Sequence, residues 1–163
     1  MSIEVVNPPP STPHAQQHAW SGYNNAGIAA VAIGCVLNHI QELTLPKALL
    51  IMPIIMHSET TKFLASEKTR SRAIASLVAL RPDFVQNFNR RFHASLVHSI
   101  NAIQVLHELD YMTFDSCLTQ NIKFECTSEF GKRALLIEKA SSEIAKLLQT
   151  SEEELYLNLR IEL

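Results

Sequence analysis

A chain of 163 residues suits one domain with one core, since folding at this length removes roughly 70% of the extended surface from water. Hydrophobic residues make up 47% and charged residues 18%, with only four glycines, a composition poor in the punctuation that all-β folds and phosphate loops require. The longest apolar run, Ala48 to Met56, is about half of the roughly 20 residues a membrane helix needs, and the net charge of −2 argues against an autonomous DNA reader.

The N-terminal stretch 1–19, with Pro8-Pro9-Pro10, Pro13, Ser11 and Thr12, cannot bury enough apolar surface to offset its ordering entropy, and reads as a flexible arm ahead of a single domain over 20–163. A helix is predicted from Asn25 to Gln41, where Ile28, Val31, Ala32, Cys35, Val36 and Ile40 share one stripe. The run from Leu45 to Met56 is apolar all round, so periodicity does not separate helix from strand over 45–57. Pro46 suits a first helical turn and Pro53 a kink, which favours a kinked, buried helix.

After a polar loop, Thr69 to Leu80 reads as a short helix with Ile74, Leu77 and Val78 inward. Pro82 and Asp83 then open a long helix in which Phe84, Phe88, Phe92, Leu96, Ile100 and Ile103 repeat at three- and four-residue spacing. A hairpin is predicted from Tyr111–Phe114 and Asn121–Phe124, with Asp115 to Gln120 as its polar connection. Ser128 to Gln149 reads as a helix with Phe130, Ala134, Ile137, Ile144 and Leu148 on one face, and Ser151 with Glu154 forms a capping-box pattern beyond it. Strict alternation from Leu155 to Leu163 predicts a half-buried terminal strand. The expected fold is therefore mostly α, a helical domain with a winged-helix-like β-hairpin and a C-terminal strand.

The residues that carry chemistry do not gather in sequence. The glycines never cluster with a Lys-Ser or Lys-Thr pair, so no P-loop is present. His93 and His98 fall on different faces of one helix, and Cys117, Cys126 and His107 are better read as core and surface residues than as metal ligands. His57-Ser58-Glu59 has nucleophile and base types, but sequence neighbours point in different directions, so they read as capping a polar loop. Glu108 and Asp110 are expected to be solvated at a helix end. No enzyme and no cofactor is expected. Three widely spaced cysteines, and no basic-then-apolar leader in the first 30 residues, predict a cytoplasmic protein without a membrane anchor.

The charge is unevenly spread. Residues 57–93 hold Lys62, Lys68, Arg70, Arg72, Arg81, Arg90 and Arg91 against Glu59, Glu67 and Asp83. Residues 138–163 hold Glu138, Glu143, Glu152, Glu153, Glu154 and Glu162 against Lys139, Lys146 and Arg160. Lys62, Arg70, Arg72, Arg90 and Arg91 are the candidates for DNA phosphate contact. Leu155, Leu157, Asn158, Leu159, Arg160 and Ile161 are the candidates for a partner's contact, through the edge of the terminal strand.

Across residues 20–110 the chain resembles the middle component of ABC three-component systems, a family that includes the small subunit of Lamassu-type bacterial defence complexes. The resemblance rests on Trp20, Asn24-Asn25-Ala26 opening a helix, the run Leu49-Leu50-Ile51-Met52-Pro53-Ile54-Ile55-Met56-His57, then Thr61-Lys62, Leu64, Arg81-Pro82, Phe88, Arg91 and Leu96. It implies a large SMC-like ATPase that senses DNA, an effector such as a nuclease, and this chain as a bridge that holds the effector inactive until DNA is sensed. DNA would be met through the complex. The reading of a different class is a winged-helix DNA-binding transcriptional regulator acting alone or as a homodimer.

Overall fold

The computed structural model describes residues 14–66 and 73–163, the side chains of residues 14–24 excepted. Among the described residues are eight α-helices and three short strands: α1 (His14–Leu37), β1 (Glu42–Thr44), α2 (Leu45–Ile55), α3 (Ser58–Leu64), α4 (Ile74–Leu80), α5 (Pro82–Val85), α6 (Phe88–Glu108), β2 (Met112–Phe114), β3 (Cys117–Gln120), α7 (Gly131–Leu147) and α8 (Glu152–Asn158). The fold is mostly α, as the composition implied, and no described helix is long and apolar enough to cross a membrane.

The C-terminal half of α1 is buried almost continuously from Val31 to Leu37, because α6 packs on one side of it and α7 on another. α1 begins at His14, so the helix reaches into residues assigned to the arm, whose residues 1–13 lie outside the described part. α2 settles the ambiguity of the apolar run: Pro46 stands in its first turn, and Leu50 to Ile55 are all buried between neighbouring helices. Pro53 sits inside the last turn, where it removes one backbone donor. Ser58 and Glu59 begin α3 instead of lying in a loop, with His57 at the N-cap position and its Nδ1 2.7 Å from Thr60 Oγ1.

The long helix predicted from Pro82 is broken. Gln86 takes an extended ψ of 124° and Asn87 a left-handed φ of 58°, which separate the single turn of α5 from α6. On α6 the apolar repeat also divides. Phe88, Phe92, Ile103 and Leu106 face the core together with the small Ser95, Ser99 and Ala102, while Ile100 is 46% exposed and Leu96 half-buried.

The hairpin is present in a shifted register. β2 pairs with β3 through Met112↔Gln120, Thr113↔Thr119 and Phe114↔Leu118, so the second strand occupies residues expected to connect the two. β1 adds to the far side of β3, giving the antiparallel order β1-β3-β2. A helix, a strand, further helices and a hairpin whose second strand accepts the first follow the winged-helix plan.

Phe124 leaves the sheet because α1 captures it. The Asn38 side chain donates to the Phe124 carbonyl (2.8 Å) and accepts from its amide (3.0 Å) and from Gln120 Nε2 (2.6 Å). Gly34 makes room for the ring: a Cβ there would lie 2.6 Å from two ring carbons. Beyond the hairpin, a 3-10 turn at Ser128–Phe130 and a positive φ of 86° at Gly131 lead into α7, which buries Ala134, Ile137 and Ile144.

The terminal strand is not formed. Residues Leu155 to Asn158 belong to α8, whose N-cap Ser151 accepts from the Glu154 amide, with three glutamates in the first turn where the helix dipole favours them. The alternation of Leu155, Leu157 and Leu159 therefore wraps around a helix: Leu155 and Leu159, four apart, are buried and Leu157 is 79% exposed.

Two substitutions test this packing by denaturant unfolding. Gly34→Ala is expected to destabilise, because overpacking of about 1–3 kcal/mol against a tethered ring exceeds the ~1 kcal/mol of helix propensity gained. Ser99 Oγ is buried without a partner among the described residues, so Ser99→Ala is expected to raise stability by about 1 kcal/mol. A loss on Ser99→Ala would mean that the hydroxyl is satisfied in solution.

Candidate interaction surface

Of the cations expected to meet phosphate, Arg91 is committed within the chain. Its guanidinium donates to the carbonyls of Phe84 (2.7 Å), Gln86 (2.7 Å) and Pro53 (3.2 Å) and lies 5.2 Å from the centre of the Phe88 ring. Partial burial and the neighbouring Arg90 hold its pKa below the usual guanidinium range. Lys62 donates to Glu59 at 2.8 Å on the exposed face of α3. Arg90 is exposed on the first turn of α6, and Arg70 and Arg72 lie outside the described residues. Arg81, outside the phosphate set, pairs with Asp83 and stacks over Phe63.

The residues expected to offer a strand edge serve mainly to anchor α8. Leu155 and Leu159 are core, and Asn158 Nδ2 donates to the Glu154 carbonyl (2.8 Å) within the same helix. Ile161 packs partly against the core, and Arg160 is exposed in a left-handed turn with φ 54°. Leu157 alone among them projects a large apolar side chain outward.

What the fold presents instead is apolar surface that no local sequence pattern marks. An open groove of about 710 Å³ lies between α2, α6 and α8, with walls that include Leu49, Leu96, Ile100 and Tyr156. Tyr156 stacks edge-on to Phe92 at 5.8 Å and donates its hydroxyl to the Pro46 carbonyl at 2.9 Å, which ties α8 to α2. Burial and the nearby Glu152 push this phenol up to about 12. Thr44 Oγ1 donates to the Glu152 carboxylate, a second tie between the same walls.

A second apolar surface lies toward the other end of α6. Val105 (46% exposed) and Leu109 (60%) face solvent there, with Phe114 and Ile122 exposed in and just beyond the hairpin. Along the axis of α6 the two surfaces are separated by about 10–20 Å at ~1.5 Å per residue. Elsewhere, Cys35 and Cys126 lie in thiol–thiol contact, burial pushing Cys35 up to about 12. Among the described residues no three His, Cys, Asp or Glu side chains gather as a metal site would require.

The fold and these surfaces define a winged-helix-like helical domain with exposed apolar side chains at two places along its long helix. The family described as ABC-three component (ABC-3C) system Middle Component 3 matches residues 32–163, and the chain belongs to that family. The match takes in α7 and α8, beyond the residues 20–110 that carry the sequence resemblance. Among curated proteins and among solved structures nothing matches the chain. Membership as a middle component implies ATPase and effector components as partners.

Arg91→Met is expected to lower unfolding stability by about 2 kcal/mol or more, because three carbonyls lose a charged donor. Arg90→Met should stay within about 0.5 kcal/mol of wild type. Equal effects in urea unfolding would show that the guanidinium of Arg91 does not hold the α5–α6 junction.

Proposed function

We propose that this protein is the non-catalytic bridging subunit of a bacterial SMC-like ATPase complex that defends against phage or plasmids, as in Lamassu-type systems. It acts in the cytoplasm, linking the ATPase to an effector such as a nuclease and holding that effector inactive. The observation that carries the reading is the pair of separate apolar surfaces on α6, one at the groove near Leu96 and Ile100 and one near Val105 and Leu109. Single exposed apolar residues are ordinary, whereas two separate groups of them on one small domain suit simultaneous contact with two proteins.

The winged-helix order of the elements favours a second reading, a DNA-binding transcriptional regulator. Its difficulty is charge. Residues 111–120, which span the hairpin, contain no Lys or Arg, and of the two arginines on α6, Arg91 is already bound to carbonyls. DNA contact by Arg90 would go through phosphates, weaken steeply with salt and show little sequence preference.

The test is reconstitution of the three components, with and without this chain. The expected outcome is that ATPase and effector co-purify only when the chain is present, and that effector activity without DNA rises when it is left out. Val105→Glu with Leu109→Glu should detach one component and leave the other bound. Assembly of ATPase and effector at full yield without this chain would overturn the bridging role, and sequence-selective DNA binding by the isolated chain at physiological salt would favour the regulator.

A further inference from the structure

The groove between α2, α6 and α8 has properties that specify its occupant more closely than the bridging role does. Apart from Leu163 its described lining residues lie on helices, where only the first-turn amides of α2 and α8 lack intrahelical partners, and none of them belongs to a strand. A segment lying there meets mostly side chains and no strand of the sheet, so most of its own amides must be satisfied internally, and a helix does this. The stretch of α6 from Phe92 to Ile100 runs about 12 Å, which accommodates roughly two turns of a bound helix and anchors spaced i, i+3 or i+4, and i+7.

Charge narrows the occupant further. Glu152 and Glu153 form one edge, and among the described residues no Lys or Arg lines the groove. The histidine there, His93, already donates through Nε2 to the Glu162 carbonyl at 2.8 Å. The walls are set before any ligand arrives, because Tyr156 binds the Pro46 carbonyl and Thr44 binds Glu152, which reduces the ordering cost of association. Two copies meeting about a two-fold axis would bring this acidic edge against itself, a like-charge contact that disfavours self-association.

We propose that this groove receives an amphipathic helix of a partner component, with apolar side chains on Leu96, Ile100 and Tyr156 and Lys or Arg beside Glu152 and Glu153. The assignment rests on the bridging reading and names the chemistry by which one of the two partners is held. Leu96 and Ile100 are only partly covered in the free chain, so they can be changed without opening the core.

Three versions of the full chain test it in the reconstituted complex: wild type, Leu96→Glu with Ile100→Glu, and Glu153→Lys on the exposed rim. Unfolding curves check that each is folded, and Glu153→Lys serves alone if the double variant is not. The expected result is at least a tenfold loss of affinity for one component in both variants, with the other component retained. A synthetic helical peptide carrying Leu at i, i+4 and i+7 and Lys beside them should bind the isolated wild-type chain, and bind Glu153→Lys at least tenfold more weakly. Folded variants that hold both components at wild-type affinity would overturn the groove assignment and leave the bridging reading standing. Wild-type chain that co-purifies with neither component would overturn the bridging reading, and the groove assignment with it. A concentration-dependent dimer of the isolated chain abolished by the double variant would also overturn it, since the occupant would then be a second copy.

Discussion

The guanidinium of Arg91 decides where the long helix starts, and the position of every exposed side chain on that helix follows. Breaking the chain at Gln86 and Asn87 leaves carbonyls at the end of α5 without intrahelical donors. Arg91, on the first turn of α6, reaches back to those of Phe84 and Gln86 and across to Pro53 on α2. One planar donor group thus closes a helix terminus and fixes α6 against α2. A rotation of α6 by one residue would move the small face of Ser95, Ser99 and Ala102 off the core and carry Leu96 and Ile100 out of the groove.

That small face explains why the groove exists. The periodicity of α6 is satisfied by two different sets of residues, and large apolar side chains alone suggest that Leu96 and Ile100 are core. The packed structure buries the serines and the alanine instead, small residues being able to sit where neighbouring helices lie close, and leaves the larger pair at the margin. A hydrophobic residue displaced from the core by a smaller one is exposed at a cost, and α8 recovers part of it by laying Tyr156 alongside. The remaining exposure is the surface available to another chain.

Sequence reasoning reached the helical class, the first helix, the buried run at 45–55 and the existence of a hairpin, because each is carried by local periodicity or by proline position. It failed where a long-range contact outweighs a local pattern. Phe124 has the composition of a strand residue but is held by Asn38, just past the end of α1, and by the space at Gly34 on α1, and no local signal connects them. α8 is a different kind of failure, since the capping box at Ser151 and Glu154 and three consecutive glutamates were visible and favour a helix start. Alternation over the following residues points to a strand, yet a helix ending at Asn158 with a left-handed Arg160 accommodates the same residues without a sheet.

The surface was less legible than the fold for a physical reason. Charge is conspicuous in a sequence, so the basic stretch drew attention to Arg90 and Arg91, yet a cation on the first turn of a helix can serve carbonyls as well as phosphates. Only the backbone break at Asn87 shows which use prevails for Arg91. The groove is assembled from α2, from the middle of α6 and from α8, segments far apart in the chain whose apolar residues each look like ordinary core. Glu152 and Glu153 read as a solvated helix start until Leu96 and Ile100 are placed beside them. Acidic edge and apolar wall together define a chemistry that neither has alone, and they come together only because Tyr156 and Thr44 hold α8 against the start of α2.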